Sequence, residues 1–113
     1  MISVATARRI ILSMPAAEEL EHQGHPDFRV KNKIFATLWP DEARAVLKIP
    51  FDQSAAWLKS SPKALSEMKW GKQRWTNVHL KHIDAQIFRQ LVEDSWYAVA
   101  PPVLAAKSEV DRQ

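Results

Sequence analysis

Cations and indoles interleave between residues 69 and 75: Lys69, Trp70, Lys72, Arg74 and Trp75. That mixture suits nucleic acid, because ammonium and guanidinium groups neutralise phosphates while aromatic faces stack on bases. Five further cations, Arg29, Lys31, Lys33, Arg44 and Lys48, fall in segments that alternate apolar and charged residues. Alternation on a strand sends every second side chain to one face. The candidate nucleic-acid-binding residues are thus Arg29, Lys31, Lys33, Arg44, Lys48, Lys69, Lys72, Arg74 and Trp75. The competing reading is packing: the tryptophans fill core or rim, and the cations keep strands wet.

Other chemistries find little support. The four histidines form two pairs, His22/His25 and His79/His82. Imidazoles bind zinc, but a strand puts residues three apart on opposite faces, so neither pair converges unless it straddles a turn. No carboxylate is spaced to complete a site, and no metal or other cofactor is expected. His25 reads better as a structural residue at the entry to a hairpin. Gly24 and Gly71 are the two glycines and lie far apart, which excludes a glycine-rich phosphate loop. There is no cysteine, and Ser13, Ser60 and Ser61 sit in no nucleophile motif. An acid–base site built from His25, Asp27 and Glu residues would need a convergence that spacing does not display. The expectation is a non-enzymatic protein.

The charge balance points the same way as the interleaved segment. The net charge is +3 over 113 residues, but it is uneven. Residues 1–28 carry two Arg against four carboxylates, or −2. Residues 29–82 carry eleven Lys or Arg against four, or +7, and residues 83–113 carry three against five, or −2. A basic middle between mildly acidic ends hints at an anionic partner. Absence of cysteine excludes disulfides and fits the cytoplasm. Arg8-Arg9 precedes only a short apolar run stopped by Pro15, unlike a secretory leader. No apolar run approaches the ~20 residues of a membrane span.

The elements that must position these residues follow from periodicity. Ser3 caps a helix over residues 3–14, with Val4, Ala7, Ile11 and Met14 at helical spacing. Residues 18–23 suit a charged edge strand, since charges there discourage pairing with another chain. Residues 27–39 read as a hairpin that turns at Lys31-Asn32. Its core face would take Phe28, Val30, Ile34, Ala36 and Leu38, leaving Phe35, Thr37 and Trp39 on the other. A third strand covers residues 43–49, with Ala45, Leu47 and Ile49 alternating against Arg44, Val46 and Lys48. Asp52 caps a helix over residues 53–60, residues 62–73 read as irregular, and residues 74–80 return to strand. Asp84 caps the last helix, with Ile83 and Phe88 as a hydrophobic staple. Pro101-Pro102 ends it. Short connections forbid a parallel doubly wound sheet. The expected class is α+β: an antiparallel sheet with helices packed on one face, and N- and C-terminal helices flanking the strands. A single domain would span residues 1–104, with a disordered tail over 105–113.

Two blocks carry a family resemblance: His25-Pro26-Asp27-Phe28-Arg29-Val30 running on through Lys33-Ile34-Phe35-Ala36-Thr37-Leu38, and Trp70-Gly71-Lys72-Gln73-Arg74-Trp75-Thr76. With the order of elements, they resemble the MmcQ/YjbR-like family of small bacterial proteins over residues 3–100. The resemblance implies a frataxin-like α+β layout and a DNA-binding role without agreed catalytic residues. The frataxin-like layout also suggests iron at an acidic ridge, but Glu18, Glu19 and Glu21 are too few, and a solvated face is the default. The second block departs from the family's Trp-Gly-x-x-Gly-Trp, because Arg74 stands where glycine is usual. Arginine there adds a cation and expects an ordinary negative φ. The leading function is weak, largely sequence-independent DNA binding through a basic sheet face and the 69–75 loop. The alternative is a protein-interaction or small-ligand module with no nucleic-acid role. Oligomeric state is left open.

Overall fold

The computed structural model describes residues 1–70 and 73–112, apart from the side chains of His22, Phe51, Trp70 and residues 108–112. The chain runs α1 (Val4–Leu12), β1 (Glu18–His22), β2 (His25–Val30), β3 (Lys33–Trp39), β4 (Arg44–Leu47), α2 (Phe51–Ser60), β5 (Leu65–Trp70), β6 (Gln73–His79), α3 (Ala85–Val99) and α4 (Pro102–Arg112). Single 3-10 turns, Pro40–Glu42 and Leu80–His82, follow β3 and β6. The six strands form one antiparallel sheet in the order β1-β2-β3-β4-β6-β5. The architecture is α+β.

Caps and turns set the boundaries. Ser3 Oγ accepts from the Thr6 amide at the start of α1, and Asp84 Oδ1 accepts from Ile87 N at 2.8 Å at the start of α3. Each satisfies an amide that the first helical turn leaves without a partner. Lys31 and Asn32 both take positive φ, 49° and 70°, the geometry that matches a two-residue hairpin to strand twist. Arg74 is not among the described residues with positive φ.

One hydrophobic core joins the sheet to the helices. Ala7, Ile10 and Ile11 of α1 and Phe88, Leu91, Val92 and Trp96 of α3 pack on Phe28, Val30, Ala36, Leu38, Ala45, Leu47 and Val78. The Trp57 indole donates to Asp94 Oδ2 at 3.0 Å, tying α2 to α3. The Trp96 indole donates to the Pro15 carbonyl at 2.9 Å.

Four expectations change. First, the β2–β3 register shifts: Phe28 pairs with Ala36 but Arg29 with Ile34, so Phe35 is an extra, bulged residue. The bulge puts Phe35 in the core and leaves Ile34 half-buried outside it, the reverse of simple alternation. The Ser95 hydroxyl of α3 donates to the Phe35 carbonyl and accepts from Lys48 N at 2.9 Å. Second, α2 begins at Phe51 after Pro50, and no side chain caps it. Asp52 lies in its first turn, where it favours the positive end of the helix dipole. Third, the stretch read as irregular contains β5, paired along its length with β6. Its polar face hid the strand period. Fourth, a helix, α4, occupies most of the stretch expected as a tail, starting at Pro102. Proline suits a first helical position because its missing amide would have no partner there. Leu104 fastens α4 to the core, whereas Val103 is 82% exposed.

Candidate nucleic-acid interface

Register and alternation assign the sheet's second face. It carries His25, Asp27 and Arg29 of β2, Ile34, Thr37 and Trp39 of β3, Arg44 and Val46 of β4 with Lys48 just beyond, and Trp75 and Asn77 of β6. Val46 and Trp75 are buried yet stand outside the core cluster. Large neighbours shield them, because this face grows its own cover.

That cover occupies the aromatic rings. The His25 ring stacks on Trp39 with centroids 3.9 Å apart, and the Arg44 guanidinium lies 4.8 Å from the Trp39 ring centroid. The Trp39 indole N–H donates to Thr37 Oγ1 at 3.1 Å. Lys48 Nζ sits 5.9 Å from the Trp75 ring centroid, and Trp75 is only 6% exposed. A base cannot stack on a ring already covered, so neither indole serves as a platform in this arrangement.

The arginines are held by carboxylates. Arg29 contacts both oxygens of Asp27, which is fully buried. The hydrogen bond to Asp27 raises the Arg29 pKa above its ordinary value, against a smaller opposing effect of desolvation. Arg44 Nη2 reaches both Glu42 oxygens at 3.2 and 3.3 Å, and Nη1 donates to Asn77 Oδ1 at 2.7 Å. Arg74 Nε lies 3.5 Å from Glu67 Oε1. Arg74 pairs in register with Lys69, and alternation puts both on the opposite face from Trp75. Lys69 and Arg74 are therefore not presented together with the segment's second indole. Lys72 lies outside the described residues, as does the side chain of Trp70.

The lysines differ. Among the described residues Lys31, Lys33 and Lys48 form no ion pair. Lys33 and Lys48 line one open groove of about 400 Å³ with Asn32, Ile34, Gln73 and Trp75, and Lys31 is exposed at the adjoining turn. Of the nine candidates, Arg29, Arg44, Lys48 and Trp75 share the second face, Lys31 and Lys33 gather at its hairpin end, and Lys69 and Arg74 stand apart.

Sequence reading missed Asn32, Ile34 and Gln73 as groove walls, and the neutralisation of the arginines. One of the neutralising acids was visible: Asp27 precedes Arg29 by two residues on one strand, the spacing that shares a strand face, whereas Glu42 reaches Arg44 from the turn before β4. Glu67 was hidden because β5 was not expected. Among the described residues no three His, Cys, Asp or Glu side chains could hold a metal ion.

The YjbR family model matches residues 12–98. The chain belongs to the YjbR family. The solved structures include one of similar fold: the crystal structure of Deinococcus radiodurans protein DR2400, which carries a DUF419 domain. It superposes with a TM-score of 0.76 at 19% identity, covering 88% of this chain and 79% of that one. At that identity the likeness concerns the fold of this YjbR protein, and its site residues are read from its own geometry. No curated protein sequence matches the chain. Among the described residues no helix is long and apolar enough to cross a membrane.

Proposed function

We propose that this YjbR protein is a non-enzymatic, cytoplasmic protein that binds DNA weakly, through phosphate contacts and without strong sequence preference. One observation carries the reading: Lys31, Lys33 and Lys48, unpaired among the described residues, gather at the hairpin end of the sheet. Arg29, Arg44 and Arg74 each face a carboxylate at close range. Lysine ammonium groups contact phosphate as point charges, and such contacts carry no sequence information. Covered indoles at Trp39 and Trp75 remove the stacking that would favour single strands.

Fluorescence anisotropy with labelled duplex and single-stranded DNA at two salt concentrations tests this. Binding should fall with salt at a logarithmic slope near −0.9 per phosphate engaged on duplex, hence at most about −3 for three lysines. The Lys33→Gln/Lys48→Gln double variant should weaken it. Salt-independent binding, or an unchanged double variant, would overturn the reading. The groove also supports the small-ligand alternative, because Ile34 and Trp75 add apolar wall to its lysines and its volume lies in the range of small-molecule sites.

A further inference from the structure

A second concavity, of about 300 Å³, lies at the other end of the sheet. Its walls come from three places: Glu42 and Ala43 at the end of the first 3-10 turn, Lys63 before β5, and His79, Lys81 and His82 around the second 3-10 turn. Along β6, Trp75 of the lysine groove and His79 of this corner stand four residues apart, roughly 13 Å on an extended strand.

Three features suit this corner to an anion. The first is charge: Lys63 and Lys81 form no ion pair among the described residues, and Glu42, the single carboxylate in the lining, is engaged by Arg44 at 3.2 Å. The second is donor supply. Two ammonium groups carry three N–H donors each, and every imidazole form carries at least one. His79 and His82 make no side-chain hydrogen bond among the described residues, so both can turn donors to a ligand. The third is a fixed frame. His79 N donates to the Ala64 carbonyl at 2.7 Å, Leu80 N to the Ala43 carbonyl at 2.9 Å, and Ile2 N to the Leu80 carbonyl at 3.0 Å. These bonds stitch the three walls together, which lowers the ordering cost of binding. Ala43 holds a left-handed backbone, φ 49° and ψ 50°, to turn this corner.

We infer that this corner binds the phosphate group of a small phosphorylated compound. A tetrahedral dianion matches two ammonium and two imidazole groups that line one concavity, and the small volume suits a monoester better than a polymer backbone. The inference does not rest on DNA binding, which concerns the opposite end of the sheet.

Histidine side-chain NMR tests it, with inorganic phosphate and glycerol phosphate as probes and sodium chloride at matched ionic strength as control. Saturable shifts at His79 and His82, and none at His25, are expected with both phosphates. Lys63→Gln and Lys81→Gln should each weaken the titration about tenfold, while Lys33→Gln/Lys48→Gln should leave it unchanged. Both corner lysines are exposed, so neither substitution threatens the fold. Shifts that chloride reproduces, or that survive loss of both corner lysines, would overturn the inference. So would shifts at His79 and His82 produced by duplex DNA but not by free phosphate, which would assign the corner to the polymer-binding surface.

Discussion

The guanidinium of Arg29 grips both oxygens of the Asp27 carboxylate, Nε to Oδ1 at 3.0 Å and Nη2 to Oδ2 at 3.1 Å. Asp27 is fully buried, whereas the Arg29 side chain keeps about a quarter of its surface in water. Removing the cation would strand a buried charge. Arg29→Ala should therefore lower the thermal midpoint more than Arg29→Lys, and neither should alter DNA affinity at a temperature where both are folded. The raised guanidinium pKa adds stability that is present below its unfolded value and is lost only as pH rises through the still higher folded value, in strong alkali. Over pH 5–9 the Arg29 side of this pair should contribute no slope to a stability profile.

The bulge predicts an inverted pair of substitutions. Phe35 is fully buried, so Phe35→Ala should cost about 3–5 kcal/mol. Ile34 is half-buried on the groove face, and Ile34→Ala should cost clearly less. Urea titrations of both variants would check the order. Equal losses would place Ile34 in the core after all.

Asp84 caps α3 through Ile87 N. Asp84→Ala should lose about 1 kcal/mol, and Asp84→Asn should recover most of it, since asparagine caps as well. Thermal melts of the two variants provide the comparison.

Ser95 couples helix to sheet. Its buried hydroxyl serves the Phe35 carbonyl and the Lys48 amide. Ser95→Ala should cost about 1–3 kcal/mol by leaving buried polar groups short of a partner. Amide exchange at Lys48 should accelerate in the same variant.

Arg74 faces Glu67 on the far side from Trp75. Arg74→Gly, which restores the residue usual in the family block, should leave the DNA titration close to that of the parent. Lys33→Gln/Lys48→Gln should not. An anisotropy series with these variants separates the 69–75 loop from the lysine groove as the contact.

Much of this fold was legible because strong local signals agreed. Ser3 and Asp84 stand before apolar stripes, Lys31-Asn32 separates two alternating runs, and Ala45, Leu47 and Val78 mark the core side of their strands. The failures also have local causes. Glu67, Lys69 and the other polar residues of β5 blur its period, and Pro102 reads equally as a stop and as a helix start. The candidate site was half legible. Residue types revealed the cations, but only pairing geometry revealed which of them carboxylates hold.

The extra residue at Phe35 also gives β3 something like a reading frame. Upstream of it Ile34 looks away from the helices, and downstream Ala36 and Leu38 look toward them. A single-residue deletion at Phe35 would restore strict alternation without inverting either half, because Arg29 already pairs with Ile34 and Phe28 with Ala36. The core would lose the Phe35 ring, while Ile34 stayed on the groove. Deleting Thr37 instead would keep the bulge and turn Leu38 out of the core, whereas a deletion at the β1–β2 turn around Gly24, which is exposed with open space where a Cβ would sit, should act on neither groove nor core.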